Sequence, residues 1–344
     1  MENNQNENNP LYVKMSKLRI DIIFYILLLI LFSFLIVGYR LAFCHNYIGY
    51  EGYLKQNYGK PFVTRALVIW IALFLQKFLN IAPNNIFILL ELFAFILSGW
   101  VFSIYINIFL KNITISRILS FTIYFIIPFE FILPMYKPLW YPYDAFALLF
   151  CLCGLILIHN GNFRWYYILF VIASFNRETT CFLTIIMLIV CWNQMPAKLL
   201  GLHLFAQLSI WIVIKMFLAY LFINQPGIIF QHQYFSNILF LTNMFYEQHF
   251  PYYLEVLFRP VYFLGNFGFI YLFVIIFWHK LDNIFLRRSV FVMIPFYISM
   301  LYVANIYEYR IFGEMIPIIL MPSLYILVKL LGEVKFDIVS QHNI

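Results

Sequence analysis

Charge is what this sequence has least of. Only 11% of its 344 residues are Asp, Glu, Lys or Arg, while 64% are hydrophobic and the mean hydropathy is +0.86. That balance excludes a soluble globular domain, and repeated apolar stretches place the chain among polytopic membrane proteins. Cysteine is equally sparse. Cys151, Cys153, Cys181 and Cys191 fall in apolar segments and only Cys44 is expected to face an aqueous compartment, so the five give no disulfide framework. There is no glycine-rich phosphate loop, no Gly-x-Ser-x-Gly elbow, no internal repeat and no cleavable signal. No two histidines share a metal-ligand spacing. His45, His232 and His249 are expected outside, His159, His279 and His342 in the cytosol, and His203 within a span as a helix–helix hydrogen-bond donor.

Aromatic residues are abundant. The 41 Phe and 26 Tyr exceed what interface belts require, so many must pack helix against helix or line a groove. The net charge of +7 is spread over loops, which reads as membrane orientation and not as affinity for nucleic acid. Residues 1–19 form a polar tail, expected to be disordered and cytosolic. The apolar run 20–37 follows Lys14, Lys17 and Arg19 and reads as an uncleaved anchor entering from the cytosol.

Sidedness turns on residues 62–79, an apolar stretch broken by Arg65, Gln76 and Lys77. If it does not cross, the later loops carrying Arg164, Lys198, residues 280–288, Lys329 and Lys335 return to the cytosol, as the positive-inside bias requires. It is therefore read as a re-entrant or surface-lying helix in one long outer loop. The expected fold is an all-α polytopic membrane protein of about ten transmembrane helices, over residues 20–41, 86–110, 118–134, 143–159, 165–177, 179–195, 199–222, 259–278, 289–305 and 312–331. Both termini are cytosolic, with 332–344 as a tail. The outer segment 223–260 carries an interfacial stretch at 235–246.

One intact ionic pair interrupts the apolar run 164–193, in Asn176-Arg177-Glu178-Thr179. The run is too short for two full crossings, so it reads as a hairpin whose arms of roughly 15 residues rise about 22 Å against a hydrocarbon core of about 30 Å. Ionisable groups at such depth usually line a protein cavity. In this topology Glu51, Arg65, Glu130, Asp144, Arg177, Glu178, Glu308, Arg310 and Glu314 all meet the outer side. Arginine suits phosphate through its planar fork, and a carboxylate suits general-base work. Ordinary surface pairing accounts for such residues equally well one at a time, above all Glu308 with Arg310. Glu247 and Glu255 read as solvated. A divalent cation held by Glu51 and Asp144 fits oxygen-ligand chemistry.

The order of these landmarks resembles the GT-C superfamily of membrane glycosyltransferases over roughly residues 20–331. Glu51 in Tyr50-Glu51-Gly52-Tyr53 stands where those enzymes carry an acid in the first outer loop. Residues 61–67, with Arg65, look like the arginine-containing stretch of that loop, and Tyr141-Pro142-Tyr143-Asp144 resembles the acidic entry to a later span. Asn176-Arg177-Glu178-Thr179 occupies the place of the cationic hairpin tip in the aminoarabinose-transferase-like branch, and residues 309–317 are similar to its aromatic–basic stretch before proline. Two departures stand out: the first loop lacks paired acids, and no sizeable soluble domain follows the last span.

The resemblance implies a plasma-membrane enzyme of the cell envelope that moves a sugar from polyprenyl phosphate to a lipid or glycan at the outer face. Glu51 or Asp144 would act as base, and Arg65, Arg177, Glu178, Glu308, Arg310 and Glu314 would bind substrate. A polymerase of O-antigen or capsule repeats would also need arginines facing lipid-linked phosphates. A transporter or lipid flippase predicts internal symmetry and charged sites at the bilayer midplane, which the sequence does not display.

Overall fold

The structure, a computed structural model, describes residues 10–44, 48–56, 58–132, 139–228, 232–242, 265–306 and 308–341, with side chains from 21 to 332. Among these the fold is all-α, without a sheet. In chain order the helices are α1 (Pro10–Phe43), α2 (Tyr50–Lys55), α3 (Leu67–Leu79), α4 (Pro83–Leu110), α5 (Ile113–Ser120), α6 (Thr122–Phe131), α7 (Asp144–His159) and α8 (Phe163–Ser174). They continue as α9 (Phe182–Cys191), α10 (Ala197–Leu221), α11 (Tyr234–Thr242), α12 (Ile270–Ile276), α13 (Ile284–Val290), α14 (Met293–Val303) and α15 (Ile316–Gln341).

Among the described residues, six stretches are long and apolar enough to cross a membrane: Asp21–Phe43, Pro83–Leu110, Ile113–Phe131, Ala197–Leu221, Ile284–Val303 and Gly313–Gly332. By length and composition this is a multi-pass membrane protein. The expected span 143–159 appears as α7, whereas 165–177 and 179–195 appear as shorter helices because the chain leaves α-helical geometry between Phe175 and Cys181. The expected span 259–278 begins outside the described residues and continues as the turn Asn266–Phe269 and α12.

The N-terminal tail requires correction. α1 already begins at Pro10, so residues 10–19 are helical and not disordered, and α15 runs on through 332–341. The reason is local. Proline is tolerated in the first turn of a helix, and neither segment contains an interior proline to stop one.

Helix ends follow residue chemistry. Asn112 and Asn283 cap α5 and α13, each side-chain oxygen accepting a backbone N–H at 3.1 Å. Asn80 and Lys111 close α3 and α4 in the left-handed conformation. Residues 62–79, expected as a re-entrant or surface helix, form the turn Phe62–Thr64 and the 13-residue α3. At 1.5 Å per residue α3 rises about 20 Å. Val68, Ile69 and Ala72 face inward while Phe74 and Phe78 are exposed. Within the expected interfacial stretch, α11 leaves Phe235 exposed. Asn237 donates to the Leu301 and Ala304 carbonyls at the end of α14 at 2.8 and 2.6 Å.

The bundle has a centre and a rim. The apolar windows of α4 and of Gly313–Gly332 are 61% buried, whereas that of α10 is 22% buried. α7 is buried along most of its length, from Asp144 to Ile158. A helix apolar all round belongs at a core, so the residues at the start of α7 are fixed by packing on every side. Asp144 is the first of them.

Candidate functional site

Four breaks in helical structure meet around Asp144: the turn Phe62–Thr64 with Arg65, the approach Trp140–Tyr143, the 175–181 break, and the turns Tyr309–Ile311 and Gly313–Met315. Asp144 opens α7, where the helix dipole favours an anion. Arg177 Nη1 lies 3.2 Å from Asp144 Oδ1, and Arg310 Nη1 donates to Asp144 Oδ2 at 3.2 Å. Arg310 is also paired with Glu308. Arg65 Nε donates to Glu178 Oε2 and its Nη1 to the Tyr143 hydroxyl, both at 2.9 Å. Thr179 completes the set, its hydroxyl donating to Glu314 Oε2 at 2.9 Å.

Arg177 and Glu178 part company for a backbone reason. Arg177 is extended (φ −146°, ψ 156°) before the turn that starts at Glu178, and successive side chains on extended backbone point to opposite sides. Arg177 therefore turns to Asp144, while Glu178 turns to Arg65. Lys215 of α10 supports the break from below, its Nζ donating to the Ser174 carbonyl at the end of α8 at 2.8 Å. A cation suits a helix C-terminus. Trp211 Nε1 donates to the Glu178 carbonyl at 3.0 Å, and Asn176 Nδ2 to the Tyr143 carbonyl at 2.9 Å. Gly313 permits the close approach on the far side, since a Cβ there would collide with the Phe131 ring.

Aromatic rings sheathe the charges. The Arg310 guanidinium sits 4.0 Å from the Tyr141 ring centroid and that of Arg65 lies 4.8 Å from Tyr143. Phe62 and Tyr141 stack at 5.1 Å with planes 4° apart. Burial works against the Arg65 charge but the Glu178 carboxylate outweighs it, so Arg65 holds its proton more firmly than usual. Burial likewise opposes Arg310, and Glu308 with Asp144 outweigh it. Burial pushes the Tyr141 and Tyr143 hydroxyls up, against Arg310 and Arg65 respectively.

Two donors at this site are unspent. Arg177 Nε and Arg310 Nε are both buried without a hydrogen-bond partner, and so is Glu314 Oε1. Buried polar groups are normally satisfied, and exceptions call for an explanation. Arginine N–H groups in such a position are suited to a small anion with several acceptor oxygens.

Of the residues expected from sequence, Arg65, Asp144, Arg177, Glu178, Glu308, Arg310 and Glu314 come together here. Glu51 does not. Its carboxylate is exposed on α2 and paired with Lys55 at 3.2 Å, one helical turn away. Glu130 also lies apart, buried and accepting from the Phe267 backbone N–H. The cation pairing of Glu51 with Asp144 is corrected on the same grounds, because Lys55 holds one and two arginines flank the other. Among the described residues no three His, Cys, Asp or Glu side chains group as a metal site. Cys44, expected to face water, is half-buried; its Sγ donates to the Phe131 carbonyl at 3.3 Å, and burial pushes the thiol up to about 12. His203 accepts or donates across helices as expected, 2.8 Å from the Tyr167 hydroxyl. His45, Glu247, His249, Glu255 and His342 lie outside the described residues.

Three ionisable residues escaped the reading of the sequence. Arg40 of α1 and Glu91 of α4 form a buried pair, with Trp140 Nε1 donating to Glu91 Oε1 at 3.1 Å and the Arg40 guanidinium 4.3 Å from the Trp140 ring. Lys215 is the third. Glu91 and Lys215 each sit within an otherwise apolar span, which is itself the signal. Comparison with protein-family models, curated proteins and solved structures finds no match to this chain.

Proposed function

We propose that this protein is a membrane glycosyltransferase of GT-C type that takes a sugar from a polyprenyl-phosphate donor. The observation that carries the reading is the pair of unspent, buried Nε donors on Arg177 and Arg310, two arginines whose Nη1 atoms flank the Asp144 carboxylate. A phosphate entering between them gains charge-assisted hydrogen bonds that the resting network leaves unmade. As the sugar–phosphate bond breaks, negative charge grows on the leaving oxygen, and fixed guanidiniums in a dry site stabilise that charge without reorganising. Asp144 serves by holding both arginines in place. The exposed, Lys55-paired position of Glu51 disfavours it as the base.

The finer topology belongs to the same reading. The shorter apolar helices α3, α7, α8 and α12, with Glu178–Cys191, accompany the six long ones. Some ten spans with both termini cytosolic would bring the Asp144 cluster to the outer face of the plasma membrane. Single cysteines near Asn162 and Asn283 should then be labelled only from the cytosol, and one near Gln233 only from outside. Labelling of Asn162 from outside would reverse the active face.

The test of activity is transfer of radiolabelled sugar from polyprenyl phosphate by the purified protein in nanodiscs, with total lipid extract as acceptor. Wild-type protein should form a labelled product, and Arg177→Ala and Arg310→Ala should not. Flux of substrate across proteoliposomes without any transfer would instead establish a transporter.

A further inference from the structure

One to two turns along α7 from Asp144, a cavity of about 10 Å³ lies between α7, α9 and the Gly313–Met315 turn, room for about one water-sized group. Its polar end is formed by Glu314, Thr179 and Thr180, and its far wall by Phe150, Phe182 and Leu183. Glu314 is only 5% exposed. Thr179 occupies Glu314 Oε2, while Oε1 is buried with no partner. A carboxylate oxygen in that state wants a donor, and the space beside it admits one O–H group but no ring or head group. Arg177, which flanks Asp144, stands two residues before Thr179, whose hydroxyl bonds Glu314, so the cavity and the arginine pair adjoin.

We propose that this cavity seats the attacking hydroxyl and that Glu314 is the catalytic residue that takes its proton. The inference rests on the transfer reading above and names its base. The acceptor O–H gives its proton to Glu314 Oε1 as the oxygen bonds to the anomeric carbon of the donor sugar. The bond from that carbon to the phosphate oxygen breaks, and its electron pair leaves with the phosphate toward Arg177 and Arg310. Thr179 holds one oxygen of the carboxylate and leaves the other free. The apolar wall keeps bulk water away from the reacting atoms. The seated oxygen belongs either to a lipid-borne acceptor or to a water; the proton transfer is the same, and the product tells them apart.

The experiment has two arms, both with the full chain in nanodiscs. In the first, Glu314→Gln and Glu314→Asp are compared with wild type for labelled sugar recovered on lipid and as free sugar. Glu314→Gln should lower total turnover by about 10²–10⁴-fold, leave polyprenyl-phosphate binding unchanged, and be partly rescued in Glu314→Asp. Label on lipid identifies an acceptor alcohol, and free sugar identifies water. In the second, dicyclohexylcarbodiimide labelling of Glu314 is mapped by peptide mass spectrometry with 1-octanol or octane in the bilayer, with Glu130 as the internal control. Octanol should slow labelling at Glu314 alone, and octane should not. Wild-type turnover in Glu314→Gln overturns the proposal. Should wild type transfer no sugar at all, the transfer reading fails and the second arm decides alone: selective protection by octanol keeps the hydroxyl seat, and equal effects of octanol and octane remove it.

Discussion

Two buried ionic groups sit among the described residues, and they are built differently. Arg40 and Glu91 project from the bodies of regular helices, one cation to one anion, with Trp140 bonded to one and lying against the other. Around Asp144, three arginines and four carboxylates converge from broken segments, with Asp144 shared by two arginines and Arg310 by two carboxylates, and donors are left over. The first arrangement fixes α1 against α4, and although Arg40 Nε is also without a hydrogen-bond partner, it stands beside a single carboxylate and no second arginine. The second can exchange partners. A charge pair on helix bodies is a fastening, whereas several charges converging at helix breaks form a site.

That contrast is sharpest when each group is broken. Arg177→Ala should abolish sugar transfer and phosphate-dependent donor binding, and destabilise the protein by about 3–5 kcal/mol, because it leaves buried carboxylates without their cation. The check is transfer together with thermal unfolding in detergent. Arg40→Ala should destabilise by a similar amount of about 3–5 kcal/mol for the same reason, yet leave turnover per folded molecule unchanged. Replacing both members, as Arg40→Met with Glu91→Leu, should recover most of that stability, since apolar substitutes of similar volume often match a buried ion pair. The equivalent change at the site, Arg177→Met with Asp144→Leu, should recover stability but no activity.

A smaller effect is expected at Lys215, whose ammonium holds the end of α8 without touching the arginines. Lys215→Met should lower stability by about 1–3 kcal/mol, the usual consequence of removing a buried hydrogen-bond partner. Donor binding should weaken less than in Arg177→Ala, because the 175–181 break loosens while the arginines survive. Titration of donor affinity across the two variants ranks them.

The smallest effect belongs to an exposed pair used as a reference. Asp282 accepts from Lys329 Nζ at 2.8 Å and from the Tyr325 hydroxyl at 2.7 Å, and these hydrogen bonds hold its carboxyl below the ordinary 3.8. A depressed folded value means its contribution is present above the unfolded value and is lost as pH falls through the folded one. Asp282→Asn should therefore change the melting temperature slightly at neutral pH, with the difference vanishing in strong acid. Activity should not respond, in contrast to every change around Asp144.

The sequence made the break at 176–179 legible because an ion pair in an apolar run has few physical explanations. It also exposed Asp144, Arg310 and Glu314 as polar residues beside span ends. Pairing was beyond it. Glu178 joins Arg65, 113 residues away, and not its neighbour Arg177; only the extended backbone at Arg177 dictates this. Glu51 stood out as the acid in its loop before Arg65, yet the short α2 puts Lys55 one turn from it and turns both to solvent. Arg40, Glu91 and Lys215 were visible as charges within apolar segments, and what hid their roles was the packing that brings separate helices together. Residues 10–19 show the reverse limit, where polar composition masked a segment with no interior proline or glycine.

The central claim is that the unspent donors of Arg177 and Arg310 receive a lipid phosphate, and one binding measurement addresses it directly. Equilibrium binding of polyprenyl phosphate and of the matching polyprenol should be compared in nanodiscs containing wild-type, Arg177→Ala, Arg310→Ala and Arg40→Met/Glu91→Leu proteins. The account predicts that wild type and the Arg40/Glu91 double variant prefer the phosphate strongly over the alcohol, while the two site variants lose that preference. Equal binding of phosphate and alcohol by wild type, or an undiminished phosphate preference in Arg177→Ala and Arg310→Ala, would contradict it.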